Sequence, residues 1–323
     1  MKVLITGATG FLGFHIAKDL MLKGHEVFNF SRSHSDELES INVKTIKGDL
    51  SCIADIQKAL ELKFDAIFHV ASKVGMWGKW EDFYQINFVG TKNLFDEAKK
   101  SEIKYFIHTS TPSVVFGKES IEGANESLAY PKEYLSFYAK SKAMAEEYIL
   151  NDESAIRRCA LRPHLIFGRR DKNIIPRLLE ANEKGKLKII GDGKNLVDVI
   201  HVSNATLAHL QAFEELQGQA KNDRKAYFIA QERPVELWSF INEILKYKGQ
   251  RPVHKKISIK TAYTLGLLVE IFLKAFRIFN IHPPMTRFVA LQLGSSHYFS
   301  HASAKNDFDY SPSLTIEDAI KDL

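Results

Sequence analysis

Tyr138 and Lys142 are the first residues whose types and spacing suggest chemistry. They lie four positions apart within residues 134–152, where the apolar pattern is typical of a helix. Side chains at this spacing share one helix face, so we expect the lysine ammonium beside the phenol. A neighbouring positive charge favours the ionised phenol and lowers its pKa. Tyr138 is therefore suited to give a proton to a carbonyl being reduced, or to take one from an alcohol being oxidised.

A cluster of hydroxyl residues follows an apolar strand pattern at 105–109. Its members are Thr109, Ser110, Thr111 and Ser113. Parallel sheets bind ligands at the carboxyl ends of their strands, and a hydroxyl there can hydrogen-bond a substrate oxygen as charge develops on it. Some of these hydroxyls are expected only to bond the backbone of the following turn. The residues alone leave open which hydroxyl acts.

The N-terminal segment KVLITGATGFLG has the pattern of a dinucleotide-binding loop. Gly7, Gly10 and Gly13 separate an apolar run at 3–5 from a helical pattern at 11–23. Glycines at this spacing permit the tight turn, the close approach of a pyrophosphate, and close packing of helix on strand. The free N–H groups of the first helical turn then hold the phosphates. The residues predicted to bind the dinucleotide here are Gly7, Thr9, Gly10, Phe11, Leu12 and Gly13.

The end of the second strand pattern indicates which dinucleotide binds. Ser31 and Arg32 stand where an NAD-preferring site usually has an acidic residue. A guanidinium can bind a 2′-phosphate, which predicts NADP; the alternative is a solvated surface arginine. Asp49 and Leu50 are predicted to reach the adenine edge. The remaining predicted cofactor contacts are Ala71, Ser72 and Lys73 under the adenosine ribose and phosphate, then Thr109, Tyr138 and Lys142.

Strand and helix patterns alternate through the first half of the chain. Apolar strand runs are expected near 3–6, 26–30, 43–47, 66–71, 105–109 and 160–161, with helices near 11–23, 52–62, 80–100 and 134–152. This alternation predicts an α/β fold with a Rossmann-type doubly wound parallel sheet. We expect an NADP-binding domain over 1–165. Residues 166–323 are expected to form mostly a smaller substrate-binding lobe, partly interleaved with the first domain.

Composition places the chain among ordinary globular proteins: 45% of its 323 residues are hydrophobic and 26% are charged. The net charge of +5 is spread along the chain, so no nucleic-acid partner is implied. Two unrelated cysteines, Cys52 and Cys159, predict a reducing compartment, and the chain opens on a strand without a signal-peptide pattern. We therefore expect a cytoplasmic protein. His69, His164 and His201 are isolated in sequence, so we expect hydrogen-bonded histidines and no metal site.

These motifs together resemble the extended short-chain dehydrogenases/reductases over essentially the whole chain. Tyr138 and Lys142 match the active-site pair of that family. The resemblance places the catalytic hydroxyl at Thr111, with Ser110 and Ser113 as alternatives because the spacing to Gly117 is one residue longer than in the epimerases. Asn87 matches a helix asparagine that supports the active site in relatives. Residues 161–168 (LRPHLIFG), including Pro163, resemble the segment that closes over the nicotinamide.

Within that family the chain resembles the 3β-hydroxysteroid dehydrogenase branch. Four segments, 71–78 (ASKVGMWG), 109–115 (TSTPSVV), 256–263 (KISIKTAY) and 283–288 (PPMTRF), are most similar to the bacterial 2-alkyl-3-oxoalkanoate reductases of long-chain olefin biosynthesis. The resemblance implies NADPH-dependent reduction of a 2-alkyl-3-oxo acid to the 3-hydroxy acid. It also implies a thiolase-like condensing enzyme and a β-lactone synthetase as partners, and a homodimer formed through the helices near 80–100 and 134–152.

The second half of the chain carries a long apolar segment at 257–279, too often interrupted by charges to predict a membrane span. It is expected either to pack on the core or to form a wall for a hydrocarbon ligand, with peripheral membrane contact left open. We expect Trp77 and Trp80 either to contact an alkyl chain near the site or to serve as packing anchors. Two other functions remain as alternatives: a hydroxysteroid or sterol dehydrogenase, and a non-catalytic NADP-binding regulator.

Overall fold

A computed structural model describes all 323 residues and has a seven-stranded parallel sheet at its centre. The strands are β1 (Lys2–Thr6), β2 (Glu26–Ser31), β3 (Lys44–Lys47), β4 (Ala66–His69), β5 (Tyr105–Thr109), β6 (Ile121–Ala124), β7 (Arg157–Pro163), β8 (Ile166–Phe167), β9 (Ile189–Ile190), β10 (Leu196–Val197), β11 (Ile200–His201), β12 (Lys225–Ile229), β13 (Val235–Glu236), β14 (Lys256–Ile257) and β15 (His297–Phe299).

The helices occupy both faces of the sheet and much of the C-terminal half. They are α1 (Phe11–Leu22), α2 (Asp36–Glu39), α3 (Ile53–Leu60), α4 (Trp80–Phe83), α5 (Gly90–Lys100), α6 (Phe137–Leu150), α7 (Ile174–Glu183), α8 (Val202–Gln217), α9 (Leu237–Tyr247), α10 (Ile259–Ala275), α11 (Arg287–Gly294), α12 (Ala302–Phe308) and α13 (Ile316–Lys321). A π-helical turn (Tyr84–Val89) joins α4 to α5, and a 3₁₀ turn (Pro112–Val115) follows β5.

The strand order β12-β7-β5-β4-β1-β2-β3 makes β1 the point where the chain reverses its direction across the sheet. β1 pairs in parallel with both β2 and β4. Ligands of such sheets bind outside the carboxyl ends of the strands at this switch point. The predicted Rossmann-type doubly wound sheet is therefore confirmed, and its switch point lies at the glycine-rich loop.

Apolar strands are buried because helices cover both faces of the sheet. Val3, Leu4 and Ile5 of β1 have no solvent exposure. Side chains of α1 and α8 pack against one face, and those of α3, α5 and α6 against the other. This arrangement fixes α1 and α6, the two helices on which the predicted site depends.

A second apolar cluster, centred on Trp238, forms the C-terminal lobe beside a four-stranded sheet of β13, β10, β15 and β6. Strand β12 and helix α8 lie after residue 166, yet they complete the main sheet and its core. β6 lies before that residue, yet it pairs with β15 of the lobe. The division at 165/166 stays a prediction.

Several element boundaries differ from those expected. The strand expected at 66–71 ends at His69. This residue pairs with Thr6, the last residue of the neighbouring strand β1. The apolar segment 257–279 forms the shorter helix α10, which begins after its cap Ser258. No helix, α10 included, combines the length and apolarity that crossing a bilayer requires.

Candidate active site

The β1–α1 loop packs as tightly as it does only because Gly7 and Gly13 have no side chains. Gly7 has a φ of 79°, and a Cβ on it would lie 2.8 Å from the Cα of Ala71. A Cβ on Gly13 would lie 2.2 Å from the Gly7 carbonyl oxygen. α1 begins at Phe11 with no side-chain cap, so its first-turn N–H groups are available to an anion. Thr9 and Gly10 are exposed at the mouth of this loop, while Leu12 is buried beneath it.

The residues predicted to bind the adenine end of the dinucleotide lie around the carboxyl end of β2. The Ser31 hydroxyl accepts a hydrogen bond from Asn29 at 2.8 Å, and Arg32 is exposed. The pKa of Asp49 lies below its ordinary value, mainly because the Ser51 N–H binds the carboxylate and also because Arg32 is near. The structure thus brings Ser31, Arg32 and Asp49 together.

The segment after β4 is held by the π-helical turn. The buried Asn87 side chain accepts a hydrogen bond from the Lys73 N–H at 2.6 Å and donates one to the Lys73 carbonyl at 3.0 Å. Asn87 also donates to the Ser141 hydroxyl on α6 at 3.0 Å. This amide therefore ties the predicted ribose-binding segment, which includes Ala71 and Ser72, to the helix that carries Tyr138.

Leu50 and Pro163, two further predicted cofactor contacts, follow β3 and end β7 respectively. Leu50 follows β3 and lies against the start of α5, since a Cβ on Gly90 would be 3.2 Å from the Leu50 Cβ. Pro163 is the last residue of β7 and is buried at the carboxyl edge of the sheet. Their contact with a dinucleotide stays a prediction.

Tyr138 occupies the first turn of α6 and faces Thr111. Burial raises the pKa of Tyr138 to about 12, while hydrogen bonding with the Thr111 hydroxyl opposes the rise. Lys142 does not lower the phenol's pKa in this structure, contrary to the expectation from spacing. The phenol is therefore protonated at neutral pH, which is the form that donates a proton.

The three candidate hydroxyls have different surroundings. Thr111 caps the 3₁₀ turn, accepts a hydrogen bond from the Ser113 N–H at 3.2 Å, and also contacts the Ser113 hydroxyl. Ser110 is buried, and its hydroxyl has no hydrogen-bond partner in the structure. Of the three, Thr111 is the residue whose hydroxyl hydrogen-bonds with the Tyr138 phenol.

Lys142 is fully buried on the inner face of α6. Its ammonium donates to the carbonyl oxygen of Thr109 at 2.7 Å and lies 3.1 Å from Nε2 of His108. Burial lowers the pKa of Lys142 to about 7, and the nearby Glu146 carboxylate opposes that shift. Burial beside Lys142 holds the pKa of His108 far below its ordinary value. A neutral imidazole therefore accepts a hydrogen bond from the ammonium.

Sequence reasoning missed His108, whereas the expectation that His69 is a hydrogen-bonded histidine is confirmed. The two histidines are direct neighbours in β4 and β5, with rings stacked at 5.3 Å. His69 contacts the hydroxyls of Thr6 and Thr91, each at 2.7 Å. The alternation of side chains along β5 placed His108 and Thr109 on opposite faces, but only the register of α6 over the sheet brings Lys142 onto His108.

A buried ion pair behind Lys142 was also missed. Glu146 accepts hydrogen bonds from Nε of Arg162 at 3.0 Å and from its terminal nitrogen at 2.6 Å. The Tyr130 hydroxyl donates to the same carboxylate at 2.6 Å. The spacing Tyr138, Lys142, Glu146 repeats every four residues and is the signal that could have found it.

Histidines and tryptophans outside this centre have structural contacts. His164 lies 2.6 Å from a ring nitrogen of His297, and His201 caps α8. Trp77 donates to the Ile278 carbonyl at 2.8 Å, and Trp80 packs on Phe137. Both tryptophans therefore have packing contacts, and a role beside an alkyl chain stays a prediction.

We predict that His108→Leu shifts cofactor binding along the pH scale. Without the imidazole acceptor the buried ammonium loses a hydrogen bond, so the pKa of Lys142 falls below about 7. Lys142 is a predicted cofactor contact, so we expect NADPH affinity to decline at a lower pH than in the wild type. Fluorescence titration of NADPH across pH measures this shift. His108→Gln, which keeps an acceptor, should behave more like the wild type; identical profiles for all three proteins would contradict the role.

Comparison with known proteins supports the family predicted from sequence. The model of the "3-beta hydroxysteroid dehydrogenase/isomerase family" matches residues 4–260. Two bacterial proteins named 2-alkyl-3-oxoalkanoate reductase are similar throughout. The one from Stenotrophomonas maltophilia (strain K279a) is 38% identical, covering 100% of this chain and 98% of that protein. The one from Shewanella oneidensis is 40% identical, covering 99% and 84%.

The fold recurs in solved structures of more distant proteins. UDP-glucuronic acid 4-epimerase from Bacillus cereus, determined in complex with NAD, superposes with a TM-score of 0.74 at 20% identity. The match covers 100% of this chain and 97% of that one. At this identity the likeness concerns the fold. Together with the family match, it confirms the predicted resemblance and the predicted oxidoreductase class.

Proposed function

The chain belongs to the 3-beta hydroxysteroid dehydrogenase/isomerase family, and on this premise we propose that it reduces long-chain 2-alkyl-3-oxoalkanoates with NADPH. The product is the 3-hydroxy acid. The observation that carries the proposal is a protonated Tyr138 beside Thr111 at the carboxyl edge of the sheet, with Lys142 buried four residues further on. The substrate class follows the two bacterial relatives that bear this name.

The glycine loop and the segments around it fit a nicotinamide dinucleotide. Cβ atoms on Gly7 and Gly13 would clash with Ala71 and with the Gly7 carbonyl, so these glycines permit the tight loop from which the N-terminus of α1 offers free N–H groups. Asp49 and Lys73 border the adenosine side. When bound, the reduced nicotinamide supplies the hydride for the keto carbon.

Proton transfer belongs to the side chains of this protein. Thr111 donates a hydrogen bond to the substrate keto oxygen and stabilises the negative charge that develops there. Tyr138 delivers its phenolic proton to the same oxygen, which completes the alcohol. Lys142, buried against His108 and the Thr109 carbonyl oxygen, would hold the ribose hydroxyls of the bound dinucleotide.

An apolar cluster next to these groups suits a hydrocarbon chain. Phe116, at the end of the 3₁₀ turn, packs edge-on against Phe288 at 5.6 Å. Leu135 and Tyr263 pack against the same cluster. Leu135 is three residues from Tyr138, so alkyl groups on the carbon beside the keto group would meet apolar side chains.

Product analysis tests the reaction. Incubation with a 2-alkyl-3-oxo acid and NADPH deuterated at the reactive carbon should yield the 3-hydroxy acid with one deuterium at C3, read by mass spectrometry. Unlabelled product, or recovery of the oxo acid unchanged, would contradict the proposal.

Arg32→Ala is expected to reverse the cofactor preference. Loss of a charge-assisted contact with the 2′-phosphate should weaken NADPH binding by about 10- to 100-fold. NADH has no 2′-phosphate, so its affinity should stay nearly unchanged and serves as the internal control. Titration of each cofactor against both proteins measures the effect. An equal loss for both cofactors would show that Arg32 does not select the phosphate.

The resemblance also suggests the pathway in which this enzyme acts and its partner enzymes. A thiolase-like condensing enzyme would supply the 2-alkyl-3-oxo acid, and a β-lactone synthetase would consume the 3-hydroxy acid in olefin biosynthesis. A homodimer through α5 and α6 belongs to the same proposal. A groove of about 420 Å³ on this side, lined by Phe88, Met144 and Tyr148 among others, offers apolar surface for it.

A further inference from the structure

Helix α10 carries an apolar face that no other part of the chain covers. Leu268 is 57% exposed and Phe276, just after the helix, is 66% exposed. Leu265, Ile271 and Phe272 are exposed beside them. At 100° per residue these side chains fall on one side of the helix. Such a contiguous apolar patch indicates a binding surface.

The opposite side of α10 is fixed to the lobe, so the helix cannot turn its apolar face inward. A Cβ on Gly266 would lie 2.5 Å from the backbone of Thr286, which shows how closely α10 approaches the start of α11. The buried Glu270 carboxylate binds Arg287 at 2.7 Å and 2.9 Å. Leu273 is buried between these contacts and the core.

The unpaired charged side chains around this apolar face are all positive. Lys260 and Lys274 lie along one edge of the helix, and Arg277 follows its last turn; all three are exposed and none forms an ion pair. Glu270, the only acidic residue of α10, is buried and paired with Arg287. An apolar face edged by unpaired cations is typical of helices that lie in the surface of an anionic bilayer.

The loop after β4 extends this face toward the active site. Val74 is 65% exposed and Met76 is 44% exposed. The next residue, Trp77, stacks on Phe279 at 6.0 Å, which joins the loop to the end of α10. Lys73, held by Asn87, directly precedes Val74. The exposed apolar side chains therefore begin next to a predicted cofactor-binding residue.

We propose that α10 and loop 74–77 form a docking surface for an anionic lipid bilayer, with α10 lying in the plane of the headgroups. Lysine is depleted in protein–protein interfaces, which favours lipid over a protein partner for a face edged by lysines. The surface does not depend on the identity of the substrate. If the proposed function holds, this surface places a predicted cofactor-binding segment next to the bilayer in which long-chain acids dissolve.

Vesicle flotation with the full chain tests the docking surface. Vesicles of phosphatidylcholine containing phosphatidylglycerol should carry the protein, and vesicles of phosphatidylcholine alone should carry at least about five-fold less. The double variant Phe272→Ser/Phe276→Ser should lose binding to the anionic vesicles. Lys274→Glu/Arg277→Glu should lose it too, while Leu22→Ser, an exposed leucine at the end of α1, should bind like the wild type.

NADPH titration of each variant shows that it is folded, since none of these positions lies in the cofactor site. Failure of the wild type to float with anionic vesicles would overturn the proposal, as would floating of both double variants. A dimer that dissociates in Phe272→Ser/Phe276→Ser without vesicle binding would assign the face to a second copy and overturn it as well. None of these readouts uses the reductase reaction, so failure of the proposed function is detected separately.

Discussion

Tyr138→Phe should lower the turnover number by about 10²- to 10⁴-fold, the usual contribution of a positioned general acid. The ring stays in the first turn of α6 and keeps its packing, so NADPH should bind nearly as in the wild type. The substitution removes the phenolic proton, which belongs to the one group that faces both Thr111 and the expected keto oxygen. Steady-state turnover and NADPH titration together separate chemistry from binding.

Tyr134→Phe is the matched control for this prediction. Tyr134 lies four residues earlier, before α6 begins, and its hydroxyl donates to the Val114 carbonyl at 3.1 Å, away from the proposed proton transfer. It should keep most of the wild-type turnover. Unchanged turnover in Tyr138→Phe, or an equal loss in both variants, would remove Tyr138 from its role as the acid.

Arg162→Leu should lower the free energy of unfolding by about 3–5 kcal/mol, the usual cost of leaving a buried charge without its partner. Glu146 has no solvent exposure and accepts hydrogen bonds from two nitrogens of Arg162. In the variant this carboxylate keeps Tyr130 as a donor but loses its neutralising charge. Urea unfolding followed by circular dichroism measures the change.

Two further variants give this prediction its controls. Arg233→Leu removes the partner of Glu317 in an exposed ion pair and should cost less than about 1 kcal/mol. Glu146→Leu/Arg162→Leu removes both buried charges and should be more stable than Arg162→Leu alone. A loss below about 1 kcal/mol in Arg162→Leu would mean that the pair does not stabilise the junction of α6 and β7.

The parts of the site that follow from local sequence were predictable. A glycine loop between strand and helix, and two side chains four apart on one helix, need no knowledge of distant residues. Alternating strand and helix patterns likewise predicted the parallel sheet, because each apolar strand must be buried on both faces. The glycine loop and the sheet around it appear in the structure as expected.

The electrostatics of the site were not predictable in the same way. Whether Lys142 acts on Tyr138 or on His108 depends on how α6 sits over β5, which spacing along the chain does not determine. Burial rather than the lysine dominates the pKa of Tyr138. The partner of Glu146 comes from β7, 16 residues away, and is fixed by tertiary packing.

The most direct test of the reductase activity compares turnover of a long-chain 2-alkyl-3-oxo acid with that of a 3-ketosteroid, each with NADPH and with NADH. Loss of nicotinamide absorbance follows all four reactions under the same conditions. We expect the oxo acid with NADPH to be the fastest combination by a wide margin. Turnover only with the steroid, or only with NADH, or cofactor binding without turnover of either ketone, would contradict the proposed function.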